Sequence, residues 1–379
     1  MNLADEAIGT FERLGDLAEM IGRNPKVALE LAPSALRGYI LKEGEKNTFS
    51  LNSPHKTLYD WTYANEGNPA FRELYHRAYK GQWSAQDLPW ETSVDPEDLK
   101  ERYILPEKLS PIYNTPLMSK DPKDNARLMH DVLGFLLSQF LHGEQGALYA
   151  AAFTVEATPW FGAKLYGATQ VMDEGRHVEV FSKYIREKLQ RLYPVNDNLF
   201  VVLHALHQSP DWDIKFLGMQ IMIEGLALGA FGLFYKFTKE PLLKELLRLV
   251  ISDEARHVHY GVEALRDYYT KEVSETLRRE REDWAYEIAV MLRNRFLFYE
   301  IRDKYFAGRI SRKGWEKMIL ESEIMREFRR VLFSRLIPNL KAIGLLTDRI
   351  RPKYEQLGVI EFEHMKSADR LSLAELLAA

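Results

Sequence analysis

From Asp121 to about Thr270 the chain alternates long apolar stretches with charged residues at helical spacing, punctuated as four consecutive helices. Asp121-Pro122 is a helix-start signature: an acceptor for free backbone N–H groups, then a proline whose missing N–H costs nothing in the first turn. The pattern runs unbroken to about Ala157. Thr158-Pro159 repeats the signature and predicts a second helix to about Tyr193, where Pro194 and Asn196, Asp197 and Asn198 stop it. A connector or short helix covers 195–210. A third helix is predicted from Ser209-Pro210 to about Phe237, and Thr238 with Pro241 opens a fourth to about Thr270. Helices of roughly 30 residues are about 45 Å long, the length found in four-helix bundles.

The flanks read differently. Residues 1 to about 45 suggest one or two modest helices, interrupted at Asn24-Pro25 and Ala32-Pro33. Between 46 and 120 the sequence turns irregular and aromatic, with Trp61, Trp83 and Trp90 among seven prolines, as expected of short elements wrapped on a core. Two or three further helices are predicted beyond 271. The fold class is therefore all-α: an N-terminal helical and irregular wrap (1–120), a four-helix bundle (121–270) and a C-terminal helical extension packed on it (271–379).

Composition narrows the chemistry. The 379 residues include no cysteine, which removes disulfide frameworks, thiolate metal sites, cysteine nucleophiles and iron-sulfur clusters together. Any metal must sit on carboxylates and imidazoles. A net charge of -4 gives no push toward nucleic acid. No stretch approaches the ~18 uncharged apolar residues of a membrane span, and Asp5, Glu6 and Glu12 lack the basic start of a signal peptide. A soluble, cytoplasmic protein is expected.

Shifting the chain against itself by 80 residues places Glu144 on Glu224, Ala147 on Ala227 and Leu148 on Leu228. The match recurs where Asp173, Glu174, Arg176 and His177 fall on Asp253, Glu254, Arg256 and His257. Both halves keep 30 residues between the lone glutamate and the Glu-x-x-His pair, as two helix hairpins related by a pseudo-twofold axis would. Residues three apart share a helix face, so a carboxylate and an imidazole so spaced can reach one ion. Two such pairs and one glutamate from each partner helix give Glu144, Glu174, His177, Glu224, Glu254 and His257. That is the inward-facing ligand set of di-iron and di-manganese bundles, and hard oxygen donors with two imidazoles favour iron or manganese. A lone ionised glutamate is costly in segments as apolar as Ile214 to Tyr235, whose only other charge is Lys215. Metal-bound histidines usually donate their second N–H to a carboxylate. By the pseudo-symmetry, Asp253 would orient His177 and Asp173 would orient His257, with Arg176 and Arg256 pairing with these aspartates.

The repeated D-E-x-R-H resembles the ferritin-like di-iron carboxylate superfamily over about 121–270. Its spelling is similar to that of the hydroxylase subunits of bacterial monooxygenases and of stand-alone di-iron oxygenases. Gln82-Trp83 with Asp87-Leu88-Pro89-Trp90 is similar to a segment preceding the bundle in some of them. The resemblance implies a ferritin-like bundle holding two iron ions, or manganese with iron, that takes dioxygen as co-substrate. It would hydroxylate, N-oxygenate or desaturate an organic molecule. Two alternatives share the ligands: a ferroxidase or peroxide-scavenging protein, and a radical-generating subunit like that of ribonucleotide reductase. The radical subunits usually carry a tyrosine where Phe181 stands and aspartate where Glu144 stands. The multicomponent hydroxylases usually place threonine at the position of Leu228, and the p-aminobenzoate N-oxygenase type a histidine at that of Val250.

Positions one turn from the ligands should line a cavity beside the metals: Phe140, Ala147, Leu148, Gln170, Phe181, Gln220, Ala227, Leu228 and Val250. Seven are apolar, which suits a mainly hydrophobic substrate, with Gln170 and Gln220 as the hydrogen-bonding groups. No phosphate loop or nucleotide fingerprint is present, so electrons must come from an external ferredoxin, flavoprotein or reductase. Residues 271–353 carry 20 Lys+Arg against 13 Asp+Glu and could dock an acidic donor. A homodimer is a further expectation.

Overall fold

A computed structural model describes residues 14–54 and 56–377. Asp5, Glu6 and Glu12 lie outside them. Helix α1 (14–23) ends at Asn24, and Pro25 opens α2 (Pro25–Ala35). Pro33 does not interrupt this helix as the sequence suggested. Val27, Ala28, Leu31 and Ala35 bury one face, and that packing holds the turn despite the hydrogen bond proline cannot donate. Within the aromatic 46–120 segment, one 11-residue helix forms, α3 (Ala70–Lys80), and it lies against two bundle helices.

The bundle consists of α4 (Pro122–Ala157), α5 (Phe161–Tyr184), a third composite helix and α9 (Pro241–Asp267), with α6 (Asp197–Gln208) in the connection. Asp121 caps α4 by accepting from Lys123 N at 2.9 Å. The other three start signals act differently from the prediction: after Ser209-Pro210 the third helix begins only at Trp212, behind Asp211. Thr158 closes α4, its hydroxyl bonding Thr154 O at 2.9 Å, while Trp160 precedes α5. At α9 the cap is Glu240, whose carboxylate accepts from Leu242 N and Leu243 N at 2.8 and 2.7 Å, and longer reach lets a glutamate do what Thr238 cannot from two residues further back. A wide-turn segment (Ile185–Leu189) extends α5, and the chain leaves it at Gln190 rather than Tyr193.

The third helix runs Trp212–Phe237 as α7 (Trp212–Phe216), a π-helical stretch (Leu217–Ile223) and α8 (Glu224–Phe237). By length and composition it is apolar enough to cross a membrane, yet Glu224 interrupts it, so the expected absence of an uncharged run of about 18 residues stands, and 94% of its apolar window is buried in the protein. Its composition reflects being enclosed on every side. Gly229 permits part of this, because a Cβ there would lie 2.8 Å from the Leu332 backbone.

Beyond 271, among the described residues, six α-helices form rather than two or three: α10 (Glu275–Asn294), α11 (Tyr299–Tyr305), α12 (Arg312–Glu321), α13 (Glu323–Ala342), α14 (Arg351–Gln356) and α15 (Leu373–Leu377). Helix breaks at Phe298, with left-handed backbone, and at Ser322 divide the run. Helix α13 packs on α8, and one apolar core extends from Met20 to Leu376.

Candidate metal centre

Four helices each bring acid to the middle of the bundle. Glu144 comes from α4, Glu174 and His177 from α5, Glu224 from the first position of α8, and Glu254 and His257 from α9. All six are at most 5% exposed. Glu144, Glu174, His177 and Glu254 offer donor atoms within 4.8 Å of one another, and so do Glu174, Glu224 and His257. Glu174 belongs to both groups.

The contacts divide the carboxylates into two kinds. His177 Nδ1 lies 3.0 Å from Glu254 Oε1, 3.3 Å from Glu144 Oε2 and 3.5 Å from Glu174 Oε2. His257 Nδ1 lies 3.0 Å from Glu174 Oε1 and 3.6 Å from Glu254 Oε2. Glu174 and Glu254 thus span both histidines, one oxygen to each, while Glu144 sits at the His177 end and Glu224 at the His257 end. Both Glu254 oxygens, one oxygen each of Glu174 and Glu224, and His257 Nδ1 are buried and make no hydrogen bond. Buried carboxylates and imidazoles brought this close, with several of their oxygens lacking a hydrogen-bond partner, form a donor set suited to hard metal ions. Acids from four helices with two Glu-x-x-His pairs are the arrangement that di-metal four-helix bundles use.

No family model matches the chain, and no curated protein does. Among solved structures it is similar to an R2-like ligand-binding oxidase with an aerobically reconstituted metal cofactor after photoconversion: 14% identity, 73% of this chain and 94% of that one, TM-score 0.46. The dimanganese(II) NrdF of Streptococcus sanguinis aligns at 14% identity over 76% of this chain and 93% of its own, TM-score 0.46. A variant R2-like ligand-binding oxidase with an anaerobically reconstituted Mn/Fe cofactor aligns at 16% identity over 73% and 94%, TM-score 0.42.

Outside the six clustered acids and imidazoles stands a reciprocal ring. His177 Nε2 lies 3.2 Å from Asp253 Oδ2, and His257 Nε2 lies 3.3 Å from Asp173 Oδ2. Arg176 pairs with Asp173 on its own helix and lies 3.3 Å from Asp253, while Arg256 pairs with Asp253 and lies 3.3 Å from Asp173. Burial works against the Asp253 carboxylate, yet the His177 hydrogen bond and the nearby cations hold it well below the usual range. Burial likewise opposes charge on both histidines, but the surrounding carboxylates, Asp253 foremost for His177 and Glu174 for His257, raise them. Glu144 and Glu224 are pushed up, by burial first and by the neighbouring Glu254 next.

Two residues of the wrap complete this ring. Trp83 Nε1 donates to Asp253 Oδ2 at 2.8 Å, and Gln82 Nε2 donates to Asp173 Oδ1 at 3.2 Å. Arg176 lies over the Trp83 ring at 5.0 Å. The sequence singles out Gln82-Trp83 only through a resemblance, since nothing in helical spacing links them to aspartates 91 and 170 residues away. Tyr166 carries a more local signal: it lies eight residues before Glu174 and so shares its face. It is fully buried, packs on Tyr260 at 4.5 Å, and its hydroxyl makes no hydrogen bond.

The nine positions expected to line a cavity fall into different settings. Phe140 and Phe181 close on Phe231 and Phe234 in an aromatic quartet, with Phe140 centroids 4.8 Å from Phe231 and 5.3 Å from Phe234. Leu228 and Val250 are buried, and Ala147 too, while Leu148 and Ala227 are half-buried. Of the two glutamines, Gln170 faces the acids and Gln220 backs it. Gln170 Nε2 donates to Glu174 Oε1 at 3.2 Å and Glu224 Oε1 at 3.0 Å, and Gln220 Nε2 donates to Gln170 Oε1 at 3.3 Å. Gly261 admits Gln220 there, as a Cβ would lie 2.6 Å from the Gln220 Cβ. Cavities of about 770, 700 and 380 Å³ are lined by other residues.

Proposed function

We propose that Glu144, Glu174, His177, Glu224, Glu254 and His257 hold two iron ions, or manganese with iron, and that the protein activates dioxygen to oxidise a mainly hydrophobic organic molecule. The observation that carries this reading is the charge balance of the cluster. Four buried carboxylates face two imidazoles, and the nearest fixed cations, Arg176 and Arg256, are already committed to Asp173 and Asp253. Without ions, burial drives Glu144 and Glu224 toward their neutral forms while the carboxylates drive both histidines toward their charged ones, so protons stand where metal cations would bind. When bound, two redox-active ions supply the electrons that dioxygen takes up and the Lewis acidity that directs its reduction.

The chain's own residues set the surroundings. Asp253 and Asp173 accept the histidine Nε2 protons and leave each Nδ1 as a ligand. Gln170 donates to the two acids at the His257 end and steadies them when charged. The phenylalanine quartet one turn beyond Glu144 and His177 keeps water away, and an apolar substrate would enter by displacing these rings. Electrons would come from an external donor, for which the cationic 271–353 segment is the proposed docking region.

Metal analysis of the purified protein, followed by rapid mixing of its reduced iron-loaded form with oxygen, tests the reading. Oxygen consumption should accelerate with, and couple to, oxidation of an apolar substrate. Iron turnover indifferent to every substrate would instead indicate a ferroxidase. A long-lived protein radical would indicate the reductase-subunit alternative, and a metal-free inert protein would overturn both.

A further inference from the structure

A cavity of about 700 Å³ lies between α4, α6 and the irregular segment 43–53. Successive helical residues advance ~100°, which puts His142, Gly146, Tyr149 and Phe153 on the side of α4 turned away from Glu144. The volume is in the range of small-molecule sites, roughly 300–1,000 Å³. We propose that this cavity binds a small uncharged aromatic molecule bearing a hydrogen-bond donor, a phenol or an aryl amine, at a site separate from the metal centre.

Three imidazoles line it. His142 Nε2 lies 2.8 Å from Tyr193 O, and His207 Nε2 lies 3.1 Å from Gly146 O. A carbonyl only accepts, so each Nε2 carries the proton. Burial keeps both rings below the ordinary histidine value, down to about 4 for His207, which leaves each Nδ1 as an acceptor at neutral pH. His204 bonds Ser34 Oγ through Nδ1 at 2.8 Å, and its buried Nε2 has no partner among the described residues. His204 is 4% exposed, and an unpaired buried nitrogen of this kind is costly unless a ligand satisfies it.

Aromatic rings form part of the remaining wall, which Leu51, Val195 and Leu203 and the uncharged Asn47, Thr48 and Gln145 complete. Phe49 and Phe200 rings meet at 5.4 Å, each is within 5.8 Å of His204, and Tyr149 packs on His207 at 6.3 Å. A planar ring fits edge to face among them. Ions of either sign would find only paired groups: Lys46 with Glu43, Glu43 with Arg37, Glu156 with Thr57. The imidazoles do not converge within 4.8 Å of one another, so the cavity is not a second metal site. Acceptors, aromatic faces and neutrality together select an uncharged aromatic donor.

Calorimetric titration of the full metal-loaded chain with phenol, aniline and toluene tests this. Saturable one-site binding of phenol and aniline is expected, with toluene, which has the ring but no donor, at least about 10-fold weaker. Ala152→Trp places a large ring at the exposed rim on α4 and should weaken phenol binding by about 10-fold or more while leaving metal content unchanged; His204→Phe should do the same. Should His204→Phe fail to fold, Ala152→Trp decides alone. Absent saturation, toluene binding equal to phenol, or unchanged binding in either folded variant overturns the proposal.

Discussion

His177 and Asp253 stand 76 residues apart in sequence, and 3.2 Å apart through His177 Nε2 and Asp253 Oδ2. His257 and Asp173 repeat the relationship in the other direction, so each Glu-x-x-His helix supplies the carboxylate that orients its partner's imidazole. Neither helix can complete a histidine alone.

Asp253→Asn keeps the shape and removes the charge. Metal affinity should fall by about 10- to 100-fold, the usual cost of losing such a carboxylate. Competition with a chelator reads this directly, and unchanged affinity would show that Asp253 serves only Arg256.

Glu174 and Glu254 reach both histidines, whereas Glu144 reaches only His177. Glu174→Ala should therefore abolish both equivalents of metal, while Glu144→Ala should retain one. Metal-to-protein ratios measured at matched free metal separate the two, and equal losses would refute the division into bridging and end carboxylates.

Trp83→Phe removes one donor to Asp253 and keeps most of the ring over which Arg176 lies. Loss of a hydrogen bond to a charged group predicts a stability decrease of about 1.5–3 kcal/mol. Denaturant unfolding checks it, and a change under about 0.5 kcal/mol would place that bond outside the folding energetics.

Lys215 is fully buried, donates to Leu206 O and His207 O at 2.8 and 2.9 Å, and is depressed by burial from 10.5 to about 7. A folded value below the unfolded one means the unfolded chain binds the extra proton between these limits. Stability from this group is thus present above 10.5 and lost as pH falls through about 7. Compared with Lys215→Met, the parent protein should gain up to about 1.4 kcal/mol per pH unit from pH 7 toward 10. Parallel stability curves for the two proteins would refute it.

Phe231→Ala opens the aromatic quartet beside the ligands. About 3–5 kcal/mol of stability should be lost, and benzene should restore part of it by filling the space. Thermal unfolding with and without benzene measures both, and no rescue would mean the quartet collapses rather than admits an apolar guest.

The bundle was legible because its helices are long, periodic and marked by prolines, and because the 80-residue repeat singles out the six acids and histidines as a set. Helix ends were less so. Glu240 caps α9 from beside a proline where threonine was the obvious acceptor, and Pro33 stays within α2 because buried alanines and leucines outweigh one missing bond. Trp83 and Gln82 were noticed only through a resemblance, and their bonds to Asp253 and Asp173 escaped because these partners are tertiary. Gln170 and Gln220 were placed near the ligands by spacing, but only side-chain geometry shows Gln170 turned toward the carboxylates and Gln220 bonded to Gln170 behind it.

The π-helical stretch Leu217–Ile223 immediately precedes Glu224, while the matching residues before Glu144 are regular α-helix. Each wide turn takes up an extra residue and rotates the helix beyond it, so two halves spelled almost alike deliver their lone glutamates differently. One end of the centre gathers four donor residues and the other three. The two halves thereby lose the equivalence that their shared ligand spacing would give them. Its two ions would differ in affinity, load in a fixed order, and could be different elements.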